Sequence, residues 1–199
     1  MKIGIIPRVR IFKNKQIEYC IERKLIIFLN KIYKNSSIVF LNEIKKNNIF
    51  DILIISGGND LPKFSNLKEN LIKNKITNYY LKRSIKRKIV VVGICYGAQF
   101  IANFFSCKLK KTKKHVGNHP IKFEKNNFNL NLKKNDFTNS YHTYLIKKVS
   151  KNIKPLAKAN DNSIEAFKHK RYKIYGIMWH PERNKKLKKF DVEYFKKFK

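Results

Sequence analysis

The apolar run at residues 89–94 most constrains the fold, because it ends in a Gly-x-Cys-x-Gly motif and passes directly into a helix-like segment. Such a continuous run is typical of a parallel strand that is buried on both faces. Gly93 and Gly97 remove the side chains that would collide where a sharp strand-to-helix turn folds back on itself. The pattern is that of a nucleophile elbow with cysteine in place of serine, and it predicts that Cys95 is lifted out of the backbone.

The elbow also gives Cys95 a chemical environment. The helix that follows it, predicted over residues 96–105, points its N-terminal amides and the positive end of its dipole at the thiol, which favours the thiolate. The amide of Tyr96 is then available to bind an oxyanion. The alternative interpretation is a buried core thiol, because free cysteine is among the most buried residue types.

A second motif, Trp-His-Pro-Glu at residues 179–182, favours the chemical interpretation. Pro181 forbids a continuous helix and predicts an extended segment. In an extended segment, His180 and Glu182 point to the same side, so the carboxylate can fix the tautomer of the imidazole. A Cys-His-Glu triad forms if the strand before His180 lies beside the strand before Cys95. Taken alone, His180 could equally be a satisfied core histidine and Glu182 a surface acid.

The remaining pattern alternates between strands and helices, which predicts an α/β fold with a doubly wound, mostly parallel sheet flanked by helices. The predicted strands are 2–6, 37–41, 51–56 and 89–94, and the predicted helices are 18–33, 66–88, 96–105 and 191–198. After residue 106, short strand-like pieces at 107–109, 121–123, 128–132, 153–160, 163–169 and 173–179 predict a β-rich extension in the C-terminal half. We expect residues 1–199 to form one domain.

Composition excludes several classes of protein. The net charge of +33 suggests a protein that binds nucleic acid. However, 39 of the 46 basic residues are Lys. Lys, Asn and Ile together make up 89 of the 199 residues, which is a composition that a codon bias would produce. Specific recognition of nucleic acid favours Arg, so we expect a solvated basic surface and no nucleic-acid partner. No apolar run reaches membrane-spanning length, so we expect no membrane partner. The three cysteines lack metal-site spacing, which fits reduced thiols, so we expect a cytoplasmic protein.

Together, the two motifs resemble the class I (triad) glutamine amidotransferases, and within them the stand-alone γ-glutamyl hydrolases such as the γ-glutamyl-γ-aminobutyrate hydrolases. The resemblance covers residues 3–182 and implies a flavodoxin-like fold of that family. It implies Cys95 as nucleophile, His180 as general acid and base, and Glu182 as the residue that orients it. It also implies Gly58 as the second oxyanion amide beside Tyr96.

Further site residues follow from the same resemblance. It implies that the glutamyl group contacts residues in three segments, namely Gln99, Asn59 and the run Ser140, Tyr141 and His142. Three departures leave the leaving group open: a short loop at 59–62, Tyr96 in place of a frequent arginine, and the absence of a second histidine after His142. The expected reaction is hydrolysis of a γ-glutamyl amide through a thioester, with no cofactor.

Basic residues at the strand ends predict an anionic leaving group. Arg8 and Arg10 follow the first strand, and the basic run 108–115 follows the elbow helix. The resemblance allows one specific candidate, γ-glutamyl-CDP-amidate of the capsule phosphoramidate pathway. Two alternatives remain: a glutaminase subunit that delivers ammonia to a separate synthetase partner, and a basic nucleic-acid-binding protein with an inactive site.

His115 and His119 have a spacing that a metal site could use, but no third ligand is evident in the sequence. We therefore interpret them as rim residues that contact the leaving group or as structural residues, and expect no metal.

Overall fold

The computed structural model describes residues 1–112, 115–124 and 135–198. The predicted strand piece at 128–132 lies outside these residues. The strands, in chain order, are β1 Lys2–Ile6, β2 Arg8–Ile11, β3 Ile17–Cys20, β4 Ser37–Phe40, β5 Ile52–Ile55, β6 Val90–Ile94, β7 Lys108–Lys111, β8 Val116–Phe123, β9 Asn135–Tyr141, β10 Tyr144–Lys148, β11 Ile153–Ala159, β12 Ile164–His169 and β13 Ile174–Ile177. The helices are α1 Arg23–Ile32, α2 Lys68–Lys86, α3 Tyr96–Phe104 and α4 Lys189–Lys196.

Five parallel strands form the centre of the sheet in the order β4-β1-β5-β6-β13. Along β5 the side chains alternate between two cores: Ile54 packs with α1 and α4, whereas Ile55 packs with α2 and α3. Both faces are therefore covered by helices, which explains why the central strands consist of continuous apolar runs. The predicted doubly wound α/β sheet is confirmed.

The C-terminal half extends this sheet with antiparallel strands, as predicted. β12 pairs with β13, and β11, β8 and β9 follow outward, while β10 joins β12 to β7. Two of these strands, β9 and β10, were not predicted, because their short segments carry no clear apolar alternation. In the part of the chain that the structure describes, no helix has the length and apolarity needed to cross a membrane.

The helix predicted over residues 18–33 is wrong at its start. Residues 17–20 form β3, which pairs with β2 in a two-stranded antiparallel hairpin, and α1 begins only at Arg23. The helical periodicity is carried by buried residues from Leu25 onward, so the sequence pattern was extended too far toward the N-terminus. This hairpin matters for function because it brings Arg8 and Arg10 over the carboxyl edge of the central strands.

Candidate active site

Cys95 lies between β6 and α3 in the strained conformation that an elbow requires. Its φ is 51° and its ψ is −102°, in a region that non-glycine residues rarely adopt. The flanking glycines are needed for close packing. A Cβ at Gly93 would lie 2.4 Å from the carbonyl carbon of Gly97, and a Cβ at Gly97 would lie 2.2 Å from the carbonyl oxygen of Ile55. The local sequence therefore determines the elbow.

The fold brings His180 to Cys95 through the pairing of β13 with β6. These strands are parallel, with Ile177 opposite Ile94, so the residues that follow each strand emerge at the same edge. Gly57 shows how close they come: a Cβ placed there would lie 2.6 Å from Cε1 of His180 and 3.6 Å from Cβ of Cys95. The strand adjacency that the sequence required for a triad is present.

Glu182 contacts the imidazole directly, but the local backbone differs from the prediction. Nδ1 of His180 lies 2.7 Å from Oε1 of Glu182, and both side chains are buried. The segment is not extended throughout, because Pro181–Arg183 forms a 3₁₀ turn after an extended His180. Proline is favourable at the first position of such a turn because its missing N–H would be unpaired there.

Asn139 holds the backbone of His180 from the opposite side. Its Nδ2 donates to the carbonyl oxygen of His180 at 2.7 Å, and its Oδ1 accepts from the amide of His180 at 2.8 Å. Two hydrogen bonds from one side-chain amide fix both the position and the direction of the peptide. Asn139 is therefore a positioning residue that the sequence analysis did not identify.

The charges around His180 favour its protonated form. Burial works against the charged imidazole, but interactions with Cys95 and Glu182 outweigh burial and raise the pKa of His180 to about 9. An imidazolium beside a cysteine favours the thiolate, as in other activated cysteine nucleophiles. At neutral pH, the arrangement can therefore supply a nucleophile and a proton donor side by side.

We expect the imidazole of His180 to titrate near pH 9, well above an unperturbed histidine at about 6.5. Replacing Cys95 by Ala removes one of the negative partners, and Glu182→Gln removes the other, so each change should lower this pKa. Histidine NMR titration measures it, with His180→Asn to assign the signal. A His180 signal that titrates at the unperturbed value in the unmodified protein would contradict the ion pair.

Lys73 anchors the turn at residues 56–58 through hydrogen bonds to its carbonyl oxygens. This lysine is fully buried, and its Nζ donates to the carbonyl oxygens of Ser56, Gly57 and Gly58 at 3.0, 2.8 and 2.9 Å. Because a trans peptide holds its C=O and N–H in opposite directions, fixing the Gly57 carbonyl toward Lys73 turns the Gly58 amide away from it. Gly58 has a φ of 75°, which glycine adopts without strain.

Lys73 also lies close to the elbow. Its Nζ is 4.3 Å from the centre of the Tyr96 ring. Burial lowers the pKa of Lys73 well below its ordinary value, and Cys95 acts in the opposite sense. A single buried amine thus links the glycine turn to the first residue of α3.

Two cavities meet at this site and share Arg8, Gly58, His180 and Arg183. The one that contains Cys95, here called the Cys95 cavity, measures about 260 Å³. The other, here called the hairpin cavity, measures about 300 Å³ and lies under β2 and β3. A substrate at Cys95 can therefore extend past His180 into a second, adjoining space.

Four predicted substrate residues line the Cys95 cavity, namely Asn59, Gln99, Tyr141 and His142, although the side chain of Asn59 is engaged by Val9. Gln99 is buried, and its Nε2 donates to the carbonyl oxygen of Tyr144 at 3.0 Å. The Tyr141 ring is half exposed and lies 5.8 Å from the His180 ring. These residues form one wall of the cavity.

Two of the predicted substrate residues have their side chains engaged elsewhere. The Ser140 hydroxyl is fully buried and donates to the carbonyl oxygen of His115 at 2.7 Å. The Asn59 side chain bonds both the amide and the carbonyl of Val9, each at 2.9 Å, and so ties the glycine turn to β2. Both residues position the site, and their side chains are not available to a ligand as the sequence suggested.

Of the predicted leaving-group contacts, the two arginines line a cavity and the two histidines do not. Arg8 and Arg10 line the hairpin cavity, as expected for residues at a strand end. His115 and His119 do not line either cavity; they join a buried cluster that adjoins the Cys95 cavity. The described lysines of the basic run lie on β7, which pairs with β10, and none of them lines either cavity.

Arg183, Lys73 and Asn139 were not identified as site residues from the sequence. Arg183 lines both cavities, is held by a salt bridge of 2.9 Å to Glu22, and stacks 4.8 Å from the Tyr141 ring. Its position directly after the second motif was a usable signal. Lys73 offered none, because it lies in a helix rich in lysines and only the fold shows that it is the buried one.

Comparison with known proteins agrees with this architecture. The family profile described as glutamine amidotransferase class-I matches residues 12–199. A Campylobacter jejuni protein named γ-glutamyl-CDP-amidate hydrolase is 36% identical over 148 residues, which are 73% of this chain and 68% of that protein. A Methanococcus vannielii protein, named as one subunit of a glutamine-hydrolysing GMP synthase, is 33% identical over 135 residues, which are 65% and 63% of the two chains.

A solved structure shares the fold. The crystal structure of a Thermoplasma acidophilum protein, provisionally named as one subunit of a GMP synthase, superimposes with a TM-score of 0.76 over 100% of this chain and 92% of that one, at 21% identity. The match to the family profile, the paired motifs and the shared sheet lead to one conclusion: this chain belongs to the class-I glutamine amidotransferase family.

Proposed function

We propose that the chain hydrolyses a γ-glutamyl amide bond with Cys95 as nucleophile. The observation that carries the proposal is the parallel pairing of β6 with β13, which delivers Cys95 and the bonded His180–Glu182 pair to one edge of the sheet. The name of the Campylobacter jejuni relative, γ-glutamyl-CDP-amidate hydrolase, supports the same bond type.

The reaction follows from these positions in two steps. The thiolate attacks the side-chain carbonyl carbon, an S–C bond forms, and collapse of the tetrahedral intermediate breaks the C–N bond while His180 gives its proton to the leaving nitrogen. A water molecule then loses a proton to His180, attacks the thioester, and releases glutamate with the thiolate restored. Glu182 keeps the imidazole oriented in both steps.

The oxyanion of each tetrahedral intermediate would be bound by the amides of Gly58 and Tyr96. The Gly58 amide is directed by the peptide that Lys73 anchors, and the Tyr96 amide belongs to the first residue of α3. Preorganised amides of this kind account for about 10²- to 10³-fold of rate per donor.

The leaving group is proposed to be anionic. The hairpin cavity that adjoins the Cys95 cavity is lined by Arg8, Arg10 and Arg183, of which Arg183 is paired with Glu22. Arginine suits phosphate oxygens because of its planar fork. The specific candidate remains γ-glutamyl-CDP-amidate, which carries a pyrophosphate and which would connect the enzyme with capsule phosphoramidate synthesis; the name of the relative supports it.

A second candidate is a glutaminase subunit that supplies ammonia to a synthetase. The observation that favours it is the identity with a protein whose name gives it as part of a glutamine-hydrolysing GMP synthase. In that case, free glutamine would be the preferred substrate, and a separate synthetase chain would raise the rate.

Specificity constants for three substrates test the leaving group: glutamine, γ-glutamyl-γ-aminobutyrate and a γ-glutamyl phosphoramidate nucleotide. We expect the nucleotide to have the highest kcat/KM, with an advantage that shrinks as salt screens the arginines. Arg10→Gln should reduce that advantage, whereas Arg23→Gln, an exposed arginine on α1, should not. Equal or better use of glutamine, independent of salt, would favour the ammonia-supplying role instead.

Lys73→Met should lower kcat by about 10²-fold with a smaller change in KM, because the anchored peptide directs an amide that acts mainly in the transition state. Removing the amine also deletes three hydrogen bonds to carbonyl oxygens, so the free energy of unfolding should fall by about 1–3 kcal/mol. Lys75→Met, an exposed lysine on the same helix, is the matched control. An unchanged kcat in a folded Lys73→Met variant would show that the anchor is dispensable.

A further inference from the structure

A buried cluster of titratable side chains adjoins the Cys95 cavity, which one member, His142, also lines, and no step of the chemistry described above uses it. Two of its members lie on strands β8 and β12 and two lie in the segments beside β8 and β9, and we call them the histidine cluster: His115, His119, His142 and Glu165. The carboxylate is fully buried, two of the imidazoles are at least 96% buried, and the His119 side chain is 17% exposed. The spacing of His115 and His119 was noted in the sequence, but His142 and Glu165 were not expected to join them.

Each side chain of the histidine cluster has at least one polar atom without a hydrogen-bond partner. Among the described residues, six buried nitrogen and oxygen atoms of the cluster make no hydrogen bond: Nδ1 of His115, Nε2 of His119, both ring nitrogens of His142 and both oxygens of Glu165. Buried polar groups without partners cost free energy, and a buried carboxylate costs still more. A single ligand that contacts one such atom on each of the four side chains would satisfy four of the six.

The geometry of the cluster suits a cation. One ligand atom from each of the four side chains can be chosen so that all lie within 4.8 Å of one another. Oε1 of Glu165 is 3.2 Å from Nδ1 of His115 and 3.9 Å from Nε2 of His142, and its Oε2 is 3.8 Å from Nε2 of His119. Tetrahedral zinc, with bonds of about 2.0–2.1 Å, places its ligands about 3.3 Å apart, so small side-chain shifts would complete the site.

The outer hydrogen bonds select the tautomers that such a site needs. Nε2 of His115 lies 3.1 Å from a carboxylate oxygen of Asp161, and Nδ1 of His119 lies 3.2 Å from the carbonyl oxygen of Pro120. An oxygen acceptor holds the proton on the nitrogen that faces it. The other nitrogen of each ring then offers its lone pair to the interior of the cluster, as metal-binding histidines do.

We propose that the histidine cluster is a closed structural zinc site. Three imidazole nitrogens and one carboxylate oxygen form a ligand set that suits a borderline divalent ion. Four protein ligands leave no open position, so the ion serves structure and not catalysis. The inference does not depend on which substrate the enzyme cleaves.

The site would stabilise the active-site wall. The main chain around the cluster is already tied to that wall: the His142 amide donates to the His115 carbonyl at 3.3 Å, and the Met178 amide donates to the Glu165 carbonyl at 2.8 Å. Met178 lies two residues before His180. An ion that joins these segments would therefore hold the cavity wall and the strand that carries His180 in register.

Metal content of the tag-free protein tests the proposal. Purified without chelator, the protein should contain one equivalent of zinc by elemental mass spectrometry. Chelation should lower Tm, and added ZnCl₂ should restore it with saturation at one equivalent. CoCl₂ added to the metal-free protein should give the visible absorption of four-coordinate cobalt. Absence of stoichiometric metal, together with no Tm response to either ion, would overturn the site.

Variants locate the ion. Glu165→Gln and His119→Gln should both lose the bound equivalent of zinc. If the buried glutamate proves necessary for folding, His119→Gln alone still tests whether the cluster binds the ion. His169→Gln, which alters a buried histidine outside the cluster, should retain one equivalent. A second group of possible ligands includes His180, so His180→Ala tests that rival site. We expect this variant to retain the bound equivalent as well. Metal lost from His180→Ala but kept by His119→Gln, or kept by every variant, would refute the assignment.

Discussion

Replacing Cys95 by Ala should reduce kcat for the release of glutamate by about 10⁴-fold or more, with the fold intact. In the proposed mechanism, the Cys95 thiol forms the acyl intermediate, so its loss removes the covalent route and leaves only the binding and oxyanion contributions. Single-turnover assays of glutamate release measure the effect. Circular dichroism and an unfolding curve establish that the variant is folded.

Cys107→Ala is the matched control for this change. Cys107 is also a buried thiol, but it lies at the start of the extension and contacts Ser150. We expect it to cost some stability and little activity. If Cys107→Ala were as damaging to a folded protein as the Cys95 substitution, or if Cys95→Ala kept substantial turnover, the nucleophile would have to be reassigned.

His180→Ala should be nearly as severe as the nucleophile change, and Glu182→Gln about 10- to 100-fold less severe. In the proposed mechanism, the imidazole moves the proton in both steps and the carboxylate orients it across a contact of 2.7 Å. Glutamine keeps an acceptor oxygen but loses the charge that supports the imidazolium. kcat and kcat/KM of both variants should therefore fall in this order.

Alkylation provides a second measurement that does not require the substrate. At neutral pH, iodoacetamide should modify Cys95 more slowly in His180→Ala than in the unmodified protein, because the imidazolium that favours the thiolate is gone. Peptide mass spectrometry separates Cys95 from Cys20, which is partly exposed beside the hairpin cavity. Equal alkylation rates at Cys95 would argue that His180 does not activate it.

Local sequence determined the parts of this protein whose geometry depends on neighbours along the chain. The two glycines around Cys95 permit the elbow, because a Cβ at Gly93 would lie 2.4 Å from the carbonyl carbon of Gly97, and one at Gly97 would lie 2.2 Å from the Ile55 carbonyl oxygen of the neighbouring strand β5. The apolar runs of β5 and β6 identified a parallel sheet that is covered on both faces. His180 and Glu182, two residues apart, could be expected to touch, although a 3₁₀ turn and not an extended segment brings them together.

Tertiary structure decided which polar residues among many similar ones became buried. Nothing in the sequence distinguishes Lys73 from the other lysines of α2, yet the packing of that helix against the glycine turn makes it the one that binds three carbonyl oxygens. The histidine cluster likewise combines segments that are distant along the chain. The hairpin β2–β3 took the first residues of the helix predicted over 18–33, because pairing with β2 outweighed local periodicity there. Motifs fix chemistry over a few residues, whereas long-range strand order fixes which distant side chains share a site.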